Sequence, residues 1–294
     1  MLNRAGRLLL LMVGTSVALA GCSGATRTQG DGRLTVVASI YPLRYAVEQV
    51  GGDAVAVTTV TPAGADPHSV ELSPRQLRSF SEADVVVYLS GFQPAVDDAV
   101  AQRRPEHLLD AAAVAELVPL ASGTALDPHF WLDPTRLAAV GQEVARVLSE
   151  ADPDNAPAYV ERAAQLADDL AALDAELTAG LADCEHDTVV TSHAAFGYLT
   201  DRYGLRQVGV SGIDPEGEPS PARLREVRAT IAELGVTTVF TEPLADPAVA
   251  ATLAEGLGVD VAELDPLDSH TDGPDYREVM QSNLAALHAG LRCA

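Results

Sequence analysis

The chain contains no lysine. All 19 of its basic residues are arginine, set against 42 acidic residues, and the formal charge is −23. Such a chain has no basic face with which to neutralise phosphates, which excludes nucleic-acid binding. We read the missing lysine itself as a genomic compositional bias. The acidic surface suits a cation-rich extracellular setting, although solubility alone would account for it. Aromatic residues are also scarce, at 4%, so the core must be built from Ala, Val and Leu. Long apolar runs are missing as well. The run Leu8 to Val13 is too short for a stable membrane span. No short-period repeat is present, and low complexity is confined to residues 23–32.

What is present is a chain of 294 residues, 47% hydrophobic, enough to fold as two modest domains. Its first 21 residues read as a secretion signal. Arg4 and Arg7 precede the apolar run, and small residues lead to Leu19-Ala20-Gly21-Cys22. That tetrapeptide resembles a bacterial lipobox, in which cleavage leaves Cys22 as a lipid-bearing N-terminus. Removing residues 1–21 takes away Arg4 and Arg7 and no acid, so −23 becomes −25. Cys184 and Cys293 then remain. In an oxidising compartment an even pair reads as a candidate disulfide, the alternative being two separate thiols.

Residues 22–32 form a flexible tether rich in Gly, Ser, Thr and Gln. Beyond it β-rich and helical stretches alternate, which predicts a parallel sheet covered by helices. Strands are expected at 34–40, 55–60 and 85–89, and helices from Tyr41 and from Ser73-Pro74. A helix from Asp133-Pro134 to about Glu150 leads into a second, from about Asp154 to Ala182. Tyr159, Ala163, Leu166, Leu170, Leu173, Leu177 and Leu181 follow steps of three and four and form one apolar stripe. A helix this long, roughly 43 Å at the usual rise, reads as a spine between two halves. The second half repeats the β/α theme, with strands at 188–191, 207–210, 237–241 and 259–264. The expected division is an N-terminal β/α lobe over 33–150, a linking helix over 151–182 and a C-terminal β/α lobe over 183–294. Ser192 is read as a helix N-cap, which places His193 at a helix mouth.

Of seven histidines, three share a setting at a loop or strand end. His68 and His129 close two Asp-Pro-His triplets whose prolines stiffen their loops. His193 follows a strand, where α/β folds place ligand groups. Asp265 stands in the same place after the strand at 259–264. Each alone is an ordinary turn residue. Together they make a His₃Asp set, a donor combination that suits zinc. Asp66 and Asp127, two residues before their histidines, and Glu242 are candidates to orient the imidazoles. His107, His186, His270 and His288 are expected outside the site.

Three longer motifs carry a family resemblance. They are Gly64-Ala65-Asp66-Pro67-His68 with Glu71-Leu72-Ser73-Pro74, Asp127-Pro128-His129-Phe130-Trp131-Leu132-Asp133-Pro134, and Thr191-Ser192-His193-Ala194-Ala195-Phe196-Gly197-Tyr198-Leu199. Pro219-Ser220-Pro221 with Leu224, Phe240-Thr241-Glu242-Pro243 and Leu264-Asp265-Pro266-Leu267 add to them. Over about residues 34–292 the chain resembles the zinc-binding solute-binding lipoproteins of ABC-type metal importers, a cluster that also contains manganese binders. The resemblance implies two lobes bridged by one long helix, with metal in the cleft between them. It implies His68, His129, His193 and Asp265 as the ligands. The chain departs from many zinc members between Leu117 and Leu126, where it lacks a long His-rich loop.

The third ligand separates the metals in this family, and a histidine there points to zinc over manganese. The implied role is capture and delivery without covalent chemistry. A monomer, held by lipid on Cys22 to the outer face of the bacterial cytoplasmic membrane, takes up zinc and docks on an ABC permease driven by its ATPase. The alternatives are a manganese or other divalent-metal binder of the same fold, a zinc hydrolase with Glu242 as base, and a surface adhesion protein. The hydrolase fits poorly, because four protein ligands leave no open position for water.

Overall fold

The computed structural model describes residues 32–120, 123, 125–243, 247–269 and 273–294. The leader, Cys22 and all of the tether except Gly32 lie outside the described residues, as does His270. Within them the chain builds two four-stranded, wholly parallel sheets. The first contains β1 (Leu34–Ala38), β2 (Val55–Thr59), β3 (Val85–Tyr88) and β4 (His107–Asp110), in the order β2-β1-β3-β4. The second contains β5 (Thr188–Thr191), β6 (Arg206–Gly209), β7 (Thr238–Thr241) and β8 (Asp260–Glu263), in the order β6-β5-β7-β8. The two sheets thus share one winding. Each reverses direction beside its first strand, between β1 and β3 and between β5 and β7, and such reversals open a crevice at the strands' carboxyl ends. Val36 registers with Val85 and Val190 with Val239 across these two pairings.

Helices α1 (Tyr41–Gly51), α2 (Pro74–Glu82), α3 (Pro94–Arg103) and α4 (Pro134–Ala151) accompany the first sheet. After α5 (Ala156–Gly180) come α6 (Gly197–Arg202), α7 (Pro221–Leu234), α8 (Pro247–Leu257) and α9 (Tyr276–Gly290). Prolines in the first turn start α1 to α5 and α7, where a missing N–H costs nothing. Ser73 caps α2 in a reciprocal box with Gln76. Two elements carry little sequence signal. Helix α3 mixes small and charged residues, and β4 is an edge strand with a histidine and an aspartate at its ends.

The spine helix α5 has 25 residues, about 37 Å at the usual rise. Its stripe from Tyr159 to Leu177 is buried, and the helix packs against α1, α4 and α9. One continuous apolar core runs from Leu34 and Val36 through Trp131 and Tyr159 to Phe240 and Met280, so the two lobes share their interior. Buried hydrogen bonds also cross between them. The Trp131 indole N–H donates to the Pro266 carbonyl at 2.7 Å, and the Tyr276 hydroxyl donates to the Trp131 carbonyl at 2.6 Å. Cys184 and Cys293 form a disulfide that ties the entry to β5 to the end of α9. No helix among the described residues is long and apolar enough to cross a membrane.

Candidate metal centre

The three histidines of the sequence motifs reach the cleft on three different kinds of support. Residues 66–69 form a single helical turn in which the Asp66 carboxylate accepts from the His68 backbone N–H at 2.9 Å and from the Ser69 hydroxyl at 3.2 Å. His129 precedes the fully buried turn Phe130–Leu132. Here Asp127 acts twice, accepting from the His129 backbone N–H at 3.0 Å and bonding the ring Nδ1 at 2.8 Å. The Tyr198 hydroxyl, from α6, donates to the Asp127 carbonyl at 2.9 Å, so the second lobe holds this loop in place.

His193 leaves the end of β5. Its carbonyl accepts from the Thr191 hydroxyl at 2.6 Å and from the Gln207 amide at 3.1 Å. Its backbone N–H donates to Glu242 Oε1 at 3.0 Å, and its ring Nδ1 is bonded to Glu242 Oε2. Glu242 follows β7, so the pair straddles the crevice of the second sheet. Ser192 does not cap a helix. Its backbone pairs with Phe240 and Ser211, and α6 begins at Gly197, which places His193 in an irregular loop and not at a helix mouth. The residues 192–194 are diverted by those bonds from the helical path that the sequence pattern predicts.

The rings of His129 and His193, anchored through Nδ1, present Nε2 outward. The Nε2 atoms of His68, His129 and His193 are all buried and have no hydrogen-bond partner. Buried polar atoms are rarely left so, and three converging ones mark a place for a cation. The ring centroids stand 5.3, 5.9 and 5.4 Å apart. One ligand atom from each, with a carboxylate oxygen of Asp268, lie within 4.8 Å of one another. Donors around a tetrahedral zinc are about 3.3 Å apart, so shifts on the order of an ångström would close the set.

The carboxylate in this group is that of Asp268, not Asp265. Asp265 turns back on its own backbone: its Oδ1 accepts from the Leu267 N–H at 2.8 Å, while its main chain is bonded on both sides to Asn283. Leu267 then adopts a left-handed conformation, φ 62°, and this reversal delivers Asp268 to the histidines. The signal for the difference was in the sequence. In Asp66-Pro67-His68, Asp127-Pro128-His129, Asp133-Pro134-Thr135 and Asp214-Pro215-Glu216 the aspartate likewise accepts from the N–H two residues on. An aspartate before proline is thus a turn acceptor in most of the described cases; Asp152 before Pro153 differs, accepting from the Asn155 and Tyr159 side chains. His107 lies on β4, His186 beside the disulfide and His288 near the end of α9, and none of them joins the group.

The groups differ electrostatically. Burial, with His129 and His193 nearby, drops the His68 imidazole to about 2, so it is neutral and ready to ligate. Burial also presses on His193, but the bonded Glu242 carboxylate, with Asp268 and Asp66, pulls it above its ordinary value. Burial raises the Asp268 carboxyl to about 6, against the pull of His129 and His193. His193 and Asp268 line a cleft of about 1140 Å³, together with Asp66, Glu242 and Asp265, among others. Three nitrogens and one oxygen in a largely buried group suit zinc better than manganese, which prefers more oxygen.

Known proteins agree with this picture. A family model described as zinc-uptake complex component A, periplasmic, matches residues 36–290. The zinc-binding lipoprotein AdcA of Streptococcus pneumoniae serotype 4 is 32% identical over 303 residues, taking in 95% of this chain and 60% of that protein. The high-affinity zinc uptake system protein ZnuA of Bacillus subtilis is 28% identical over 293 residues, 91% of this chain and 90% of that one. This chain spans about 60% of the length of the first curated relatives it matches. Among solved structures, the AdcAII protein of Streptococcus pneumoniae superposes with a TM-score of 0.82 at 31% identity, covering 89% of this chain and all 100% of the other. The laminin-binding protein Lmb of Streptococcus agalactiae, described as having adhesin and metal transporting activity, gives a TM-score of 0.82 at 32% identity, covering 88% and 99%.

Proposed function

The chain belongs to the family of periplasmic zinc-uptake complex A components, and from that premise we propose that it captures zinc outside the cytoplasm and delivers it to an ABC importer. His68, His129, His193 and Asp268 hold the ion. Asp127 and Glu242 fix the Nδ1 protons of His129 and His193 so that each Nε2 lone pair faces the metal. Four protein donors complete a tetrahedral sphere, which is the arrangement of a holding site and not of a hydrolytic one. Lipid on Cys22 keeps the protein, as a monomer, at the outer face of the cytoplasmic membrane. A permease, driven by its ATPase, takes the ion.

The observation that carries this reading is the convergence of three buried, unpartnered Nε2 atoms on one carboxylate. Titration of metal-free protein against a competing chelator tests it. Wild type is expected to prefer zinc over manganese, and His193→Glu to narrow or reverse that preference. Asp268→Ala should cost more zinc affinity than Asp265→Ala. A wild-type preference for manganese would refute the zinc reading, and the opposite order of the two aspartate variants would refute the fourth ligand.

A further inference from the structure

His129 and His193 each have a carboxylate on Nδ1. His68 has none: among the described residues no hydrogen bond reaches either of its ring nitrogens, and the nearest acid, Asp268, is 3.9 Å from Nε2. An imidazole that ligates metal needs its ring plane fixed by something. We propose that Gln93, with its neighbour Phe92, is the positioning device for His68, and this rests on the zinc reading of the site.

Gln93 sits at the start of α3 with a fully buried side chain, yet that side chain makes no capping bond to its own helix. Its amide instead reaches the first ligand loop. Nε2 donates to the Pro67 carbonyl at 3.2 Å, on the peptide that leads into His68, and to the Thr61 hydroxyl at 2.9 Å. The Thr61 hydroxyl in turn donates to the Ser39 carbonyl at 2.8 Å. These partners fix which way the amide faces. A carbonyl can only accept, and the Thr61 proton is already committed to Ser39, so both need the amino group. The network thereby ties the His68 turn to the carboxyl ends of β1, β2 and β3. Phe92 completes the hold. Its ring meets the His68 ring edge-on, with centroids 4.7 Å apart and planes at 84°.

The Gln93 carbonyl oxygen, Oε1, is buried without a partner. An apolar side chain of the same length would avoid that desolvation penalty. The amide is therefore a poor choice for packing and a good one for holding the Pro67 carbonyl. His68 is thus placed from the backbone side by Gln93 and from the ring side by Phe92, where the other two histidines are placed by an acid.

A double-mutant cycle tests this. Zinc affinity is measured by chelator competition in wild type, Gln93→Met, His68→Ala and the combined variant. Gln93→Met is expected to weaken zinc about tenfold or more in the wild-type background, the usual scale for groups that orient a ligand. In the His68→Ala background its effect should fall below about twofold, because the residue acts through His68. Cobalt(II) bound to Gln93→Met should show weaker visible absorption than in wild type, reporting a displaced donor. Affinity within twofold of wild type, or an equal loss in both backgrounds, would overturn the proposal. If Gln93→Met does not fold, Phe92→Leu carries the same cycle with the same criteria. A wild-type protein that does not bind zinc would instead remove the reading of the site itself.

Discussion

Replacing Asp268 by Asn should make the metal-free protein more stable while making it a worse zinc binder. Burial holds the Asp268 carboxyl at about 6 in the folded chain, against an ordinary value of 3.8. At neutral pH the group is ionised in a place that disfavours its charge, and that displacement corresponds to ~3 kcal/mol. The sign follows from the raised value: the stability carried by the neutral form is fully present below pH 3.8 and is lost as pH rises through about 6. Asparagine has the same shape and no charge, so the metal-free variant should recover up to ~3 kcal/mol at pH 7.5, about 5 °C in melting temperature for a domain of this size. Near pH 4 both side chains are neutral and the difference should vanish. Zinc reverses the order, since only the carboxylate neutralises the cation; the zinc-induced shift should be far larger in wild type. Calorimetric melting of both proteins in EDTA and in excess zinc, at pH 7.5 and pH 4, reads all four states. A metal-free variant that melts at or below wild type at pH 7.5, or a gain that persists at pH 4, would refute the reasoning.

Glu242→Gln removes the charge that raises His193, so zinc affinity should fall about 10- to 100-fold. Its acid limb should also move to lower pH, which titration across pH 5–8 would show. Gly197 stands at the start of α6, where a Cβ would come within 2.8 Å of an Asp127 oxygen. Gly197→Ala should therefore displace the partner of His129 and weaken zinc several-fold by chelator competition, with a helix propensity that has improved. Cys184→Ser with Cys293→Ser opens a loop closed over a separation of 109 residues, and should lower unfolding free energy by about 2–5 kcal/mol in guanidinium titrations. Zinc affinity should change little in that variant, because neither cysteine touches the site.

The spine helix was legible because its stripe from Tyr159 to Leu177 repeats a simple period over many turns. The parallel sheets were legible for a similar reason: Val85 to Val87 and Thr188 to Thr191 are β-branched throughout and buried. The edge strand β4 was not, since it needs apolar character on one side only. Ser192 misled because an N-cap is a local signal, and here the backbone of 192–194 is claimed by Phe240, Ser211 and Gly212, each distant in sequence. The three histidines announced themselves through motifs. The carboxylate grouped with them is Asp268, three residues beyond the one expected from the sequence. Asp265 has the right place after a strand, but its carboxylate accepts from the Leu267 N–H in a turn, and that turn presents Asp268. Gln93 had no signal at all, because its task is to reach a carbonyl in another loop.

The disulfide gives the molecule an uneven response to tension. A pull applied between residue 33 and Ala294 travels along the chain to Cys184 and then crosses directly to Cys293. Residues between them lie off the line of force. Full extension would reach about 520 Å instead of about 900 Å for the same span without the bond. His193, Glu242 and Asp268 lie inside the unstressed ring, while His68 and His129 lie on the stretched strand. Mechanical load therefore dismantles the centre from its first-sheet side, and leaves the other half of its donors on a closed covalent loop.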